Sequence, residues 1–249
     1  MSPLETLGFA LGTSFASGLN LYATVAAAGL FERLGIIHLP TQLQVLAHPV
    51  VLGLAVVLFV VEFVADKIPY VDSVWDAVHT FIRPPAAAFL SYSAFAGGVP
   101  EQWKIGAALL AGSVALTSHG AKATTRAAAN VSPEPVSNWT LSLAEDSIAV
   151  FLAWLAAAHP LLTAGLVVVL VILAVLLIWH LFRFFRQVLA RFGRRPSGSE
   201  PAAAACLRAS APPLSCSWRH RADRRSATIV RCRFPLADRV RPRSARAVE

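Results

Sequence analysis

Six apolar stretches run through the first three quarters of the chain, at residues 7–30, 49–65, 84–98, 105–127, 141–158 and 161–182. A helix needs about 20 apolar residues to cross a bilayer, and these stretches are of that order. The sixth, LLTAGLVVVLVILAVLLIWHLF from Leu161, is almost free of polar groups. The first carries a small polar patch that includes Ser14, Ser17, Gly18, Asn20 and Tyr22. The third is short enough to re-enter the bilayer rather than cross it. The pattern predicts an all-α, polytopic membrane bundle of about six transmembrane spans.

Composition agrees with that pattern. The chain has 249 residues, of which 56% are hydrophobic and only 14% charged. A soluble domain carries about 25% charged residues, so a water-soluble globule is excluded. Three cysteines exclude a disulfide scaffold. Residues 1–10 lack a basic region, so the first stretch reads as retained rather than as a cleaved signal.

The net charge of +8 is unevenly placed. Residues 1–196 hold 11 Lys and Arg against 10 acids, whereas 197–249 hold 11 Arg against 4 acids. Two domains follow: a membrane domain, 1–196, and an Arg/Ala/Ser/Pro-rich tail, 197–249, which reads as disordered. A shifted reading frame through GC-rich DNA would give the same tail composition. Cys206, Cys216 and Cys232 all lie there, at spacings that match no zinc site. The basic residues have no aromatic interleaving, so no nucleic-acid partner is expected. Within a six-span scheme, Arg33 and Lys104 fall on one side. Lys67, Arg83, Lys122, Arg126, Arg183, Arg186, Arg191, Arg194 and Arg195 fall on the other. The positive-inside rule then puts both termini in the cytoplasm of a bacterial inner-membrane protein.

A weak repeat at an offset of 100 residues matches Gly12, Ala23, Thr24, Ala27 and Ala28 to Gly112, Ala123, Thr124, Ala127 and Ala128. It would make the first and fourth stretches equivalent, giving a 3+3 inverted repeat of the kind found in transporters. Small residues common in packed membrane helices would give such matches by chance.

Ionisable groups inside spans are costly, so they mark candidate function. Glu62, Asp66, Lys67, His119, Lys122, Arg126, Glu145 and Asp146, with Asn20 and Tyr22 of the interrupted first stretch, are the expected lining of a polar cavity open to the cytoplasm. Interfacial salt bridges that lock helices together would use the shallower of them equally well. Asp72, Asp76, His79 and Arg83 recur at helical spacing with Val74, Trp75, Val78, Phe81 and Ile82 opposite. That pattern predicts an amphipathic helix at the cytoplasmic interface, capped by Asp72. Asp72, Asp76 and His79 could also ligate a divalent metal. No cofactor is readable from any motif.

The stretches SGLNLYAT from Ser17, EFVADKIPYVDSVWDAVHTFIRPP from Glu62, HGAKATTR from His119 and NVSPEPVSN from Asn130 resemble a bacterial integral membrane family known as domain of unknown function 4126. The resemblance covers residues 5–185 and implies a polytopic membrane protein without an assigned chemistry. Three functions remain open at this point. The first is a small transporter or channel-like protein for an ion or solute. The others are a metal-dependent enzyme acting on lipid head groups and a non-catalytic scaffold. The lipid bilayer is the one partner common to all three.

Overall fold

The computed structural model describes residues 1–68, 70–95, 99–130 and 135–193. The expected tail, its three cysteines and residues 131–134 lie outside the described residues. Among the described residues the fold is all-helical.

Helix α1, Pro3–Leu19, opens on a capping box. Ser2 Oγ accepts from the Glu5 amide, and the Glu5 carboxylate accepts from the Ser2 amide. Pro3 occupies the first helical position, where its missing N–H costs nothing. The helix stops at Asn20, whose backbone is extended at φ −148° and ψ 108°. Asn20 Oδ1 accepts from the Ala23 amide and starts α2, Leu21–Arg33.

That single extended residue turns the chain back on itself. Phe9 of α1 and Ala28 of α2 share one buried cluster with Ile37, Leu39 and Leu43. Met1, Pro3 and Thr6 line the same cavity as residues 36–42. One continuous helix would hold Met1 and Ile36 roughly 50 Å apart at 1.5 Å per residue. The first apolar stretch is therefore a helical hairpin with its tip at Leu19 and Asn20, and the expectation of a single span there is corrected.

A 3-10 helix, Thr41–Ala47, then bends by 65° into α3, Pro49–Ala65. Four longer helices come next: α4, Val71–Ala94; α5, Glu101–Ala129; α6, Pro135–Ala158; and α7, Pro160–Gly193. They alternate in direction. The end of α4 and the start of α5 meet Pro3 of α1 in one groove. Asp72 at the start of α4 meets Asn130 at the end of α5. A Cβ on Gly8 would overlap the Pro160 carbonyl oxygen, and one on Gly120 would lie 3.4 Å from Ile178, which sets the direction of α7.

Three expectations change. The amphipathic segment and the third apolar stretch form one helix, α4, which runs through Pro84 and Pro85. There is no separate interfacial helix between α3 and α4 among the described residues. Asp72 lies in the first turn of α4, and Tyr70, at φ 71°, holds the cap position. The fold does not confirm the inverted repeat. Helix α1, which carries Gly12, starts at the same end as α5 and packs along it through Gly18, whereas Ala23, Thr24, Ala27 and Ala28 lie on α2, which folds back at Asn20 while their counterparts continue along α5.

Burial is reversed relative to a soluble protein. Helix α4 buries Asp72, Asp76, His79 and Arg83 and exposes Val74, Val78, Phe81 and Phe89. Helix α3 buries Glu62 and exposes Val50, Leu54, Val57 and Val60. Polar groups turn inward and apolar groups outward when the surrounding solvent is hydrocarbon. Two helical segments, Trp139–Ala158 and Pro160–Gln187, are long and apolar enough to cross a membrane. The bent pair Thr41–Ala47 and Pro49–Ala65 makes a third if it counts as one span. These apolar helices point to a membrane protein.

Candidate functional site: a buried ionic core beneath the hairpin tip

The tip of the hairpin exposes the last carbonyls of α1, which have no partner within the helix. Cations from two other helices meet them. Arg83 Nη1 donates to the Gly18 and Leu19 carbonyls at 2.8 and 3.0 Å. Lys122 Nζ donates to the Leu19 carbonyl at 3.0 Å. Positive charge at a helix C-terminus also complements the helix dipole. Asn20 Nδ2 donates to Asp146 Oδ1 at 2.8 Å, which ties the tip to α6. Gly18 is required by close approach: a Cβ there would overlap Ser118 Oγ and the Ala115 carbonyl oxygen.

Around the tip the charges form a chain. Arg83 pairs with Glu62, and Lys122 reaches Glu62 at 3.3 Å and Asp66 at 3.0 Å. Arg126 pairs with Asp66 at 2.9 Å and with Glu145, and donates to the Asp66 carbonyl at 2.9 Å. Asp76 stands 3.9 Å from both Arg83 and Lys122, and neither of its oxygens has a hydrogen-bond partner. His119 bridges the inner faces of α4 and α5. Arg83 donates to its Nδ1 at 2.9 Å, and its Nε2 lies 3.0 Å from the Asp76 carbonyl. A guanidinium can only donate, so His119 is the neutral tautomer with its proton on Nε2.

The sum of these charges is the central property of the site. Among the described residues, six buried carboxylates (Glu62, Asp66, Asp72, Asp76, Glu145 and Asp146) face three buried cations (Arg83, Lys122 and Arg126).

Of the residues expected from sequence, Asn20, Glu62, Asp66, His119, Lys122, Arg126, Glu145 and Asp146 come together. Tyr22 joins through its hydroxyl, 3.2 Å from His79 Nε2. Lys67 lies at the margin, donating to the Phe63 carbonyl with its ammonium over the Phe63 ring. Burial holds the Lys67 ammonium below its usual range, and Asp146 and Asp66 oppose that shift. The three residues considered as metal ligands share one helix face but point to different neighbours. Asp72 accepts from Ser73 and Asn130, Asp76 faces Arg83 and Lys122, and His79 Nδ1 donates to the Trp75 carbonyl. Among the described residues no three His, Cys, Asp or Glu side chains converge as a metal site requires.

Three participants fall outside the expected site residues. Arg83 is the hub of the core, and the carbonyls of Gly18 and Leu19 are its acceptors. The spacing of Arg83 with Asp72, Asp76 and His79 is visible in the sequence, but on its own it points to a face turned toward water.

An inward polar face, an outward apolar one and a hairpin tip held by buried charges are the features of a membrane protein built around an ionic core. The sequence profile described as domain of unknown function (DUF4126) matches residues 7–180, and the chain belongs to that family. No curated protein and no solved structure matches it.

Proposed function

We propose that the protein is a small transporter or channel-like protein of the bacterial inner membrane. In this reading an ion or small solute, or the proton coupled to it, binds where the hairpin tip meets the ionic core. The observation that carries this is the imbalance, among the described residues, of six buried carboxylates against three cations around a broken stretch of backbone. Isolated charge in a low-dielectric interior is prohibitively costly, so the surplus is neutralised by protons or by bound cations. Species held for that reason are exchangeable in a way that a fully paired salt bridge is not. Broken helices whose ends face the pathway are a recurring device of transporters.

In this reading α3 to α7 cross the membrane five times and α1–α2 re-enters without crossing. The Lys- and Arg-rich end of α7 is cytoplasmic by the positive-inside rule, and Met1 lies on the opposite side, in place of the expected cytoplasmic N-terminus. The test is flux in proteoliposomes under an imposed pH gradient, then under a sodium or potassium gradient. Glu62→Gln and Asp76→Asn nearly preserve side-chain volume and should abolish a flux that the parent shows, with both variants still folded. A parent with no flux under any of these gradients would overturn the proposal, as would a flux indifferent to both changes.

A further inference from the structure

A second feature lies on the lipid-facing side of the core. Helices α3 and α6 enclose a groove of about 570 Å³ with Phe31 of α2 contributing to its lining. That volume is within the usual range for small-molecule sites, about 300–1,000 Å³. Phe59, Phe63, Phe151 and Trp154 supply aromatic walls, and Asp146 lines the groove as its one carboxylate. Asp146 is only 7% exposed. Its Oδ1 is engaged by Asn20, but its Oδ2 has no hydrogen-bond partner. Phe151 and Leu143 are half exposed on the outer surface, so the groove opens sideways toward the surrounding hydrocarbon.

The chemistry of this lining is selective. Aromatic faces attract cations through their quadrupole, most strongly where water is excluded. An unpaired carboxylate oxygen in an apolar setting attracts a positive centre and repels an anion. Beside the groove, the Lys67 ammonium sits over the ring of Phe63. Lys122 and Lys67 act on Asp146 from the core and from the margin, Asp66 and Glu62 oppose them, and neither ammonium hydrogen-bonds Oδ2. An apolar ligand without charge would leave the Asp146 oxygen unsatisfied.

We infer that the groove between α3 and α6 binds a hydrophobic organic cation that enters sideways from the bilayer, its positive centre facing Asp146 and its apolar body against the aromatic rings. This names a substrate class for the transport reading, and it rests on that reading only for the passage of the cation after it has bound. Binding without any flux would leave the site standing and defeat transport. A proton flux without binding would do the reverse.

The experiment is equilibrium binding of radiolabelled tetraphenylphosphonium to the purified full chain in dodecylmaltoside, an uncharged detergent that supplies no competing headgroup cation. Saturable binding of one cation per chain is expected. Asp146→Asn should weaken it at least tenfold, and Phe151→Ala several-fold. Glu101→Gln, a carboxylate outside the groove, should leave it unchanged. Neutral triphenylphosphine oxide should compete poorly. Absence of saturable binding would overturn the inference, as would undiminished binding by folded Asp146→Asn or equal competition by the neutral analogue. If Asp146→Asn does not fold, Phe151→Ala and the neutral competitor decide the matter, since Phe151 is 52% exposed and its truncation leaves no buried cavity.

Discussion

Removing Arg83 should be among the most damaging single changes in the protein. Its side chain is fully buried, pairs with Glu62, and donates to His119 and to the Gly18 and Leu19 carbonyls. Arg83→Met leaves the Leu19 carbonyl with Lys122 but strips the Gly18 carbonyl of its side-chain donor. Breaking a buried ion pair from one side costs about 3–5 kcal/mol. An unsatisfied buried carbonyl adds about 1–3 kcal/mol, although the two losses overlap. A net loss of at least about 3 kcal/mol corresponds to a fall in Tm of about 10 °C for a domain of this size. The variant also raises the surplus negative charge of the core by one. Glu62→Gln in the same chain removes that extra charge, so the double variant should be more stable than the sum of the single losses predicts. The measurement is unfolding in mixed dodecylmaltoside and dodecyl sulfate micelles for parent, both single variants and the double. Single losses that add to within about 0.5 kcal/mol would show the two side chains to be uncoupled and would refute the reasoning.

Gly18→Ala should cost about 1–3 kcal/mol by overpacking, because Ser118 can rotate away but the Ala115 carbonyl cannot; a neutral effect in the same unfolding assay would contradict the close approach of α1 and α5. Asn20→Ala removes both the cap of α2 and the bond to Asp146. Loss of the cap alone predicts about 0.5–2 kcal/mol of destabilisation, and Asn20→Asp should recover the cap while placing like charge against Asp146. Cysteines placed singly at Ser2, Pro100 and Arg186 should divide by membrane side in intact cells. Ser2 and Pro100 should react with an impermeant maleimide and Arg186 should not; labelling of Ser2 and Arg186 from the same side would restore a first stretch that crosses. Phe81 is 82% exposed on α4, so Phe81→Leu should be silent. Phe81→Arg should reduce membrane insertion, by up to about 2.5–3.5 kcal/mol if the residue lies at mid-bilayer.

The parts of the fold legible in the sequence are those that hydropathy reports directly. The stretch 49–65 is α3 residue for residue, and the stretch 141–158 ends where α6 ends. Direction is not legible. Hydropathy along 7–30 is the same for a helix that continues and for one that folds back. The polar patch at Ser17 to Asn20 marks the break without telling which way the chain leaves it. That choice depends on Arg83, Lys122 and Asp146, which are distant in sequence. The ionic core can be found because buried charge is expensive wherever it occurs in an apolar stretch. Arg83 escapes for a different reason. An amphipathic helix offers two faces, and the usual rule sends the charged one to water. In the structure α4 turns that face inward, as a helix in a hydrocarbon setting does.

The reversal at Asn20 also constrains the order in which the protein can be assembled. The segment made first, α1–α2, is the one whose resting place is made last, since Arg83, Lys122 and Asp146 leave the ribosome after it. Until they arrive, the carbonyls at its tip have no protein donor, and hydrocarbon offers none. For a hairpin placed in hydrocarbon, these contacts favour seating after α4, α5 and α6, so that the beginning of the chain would be the last piece to dock.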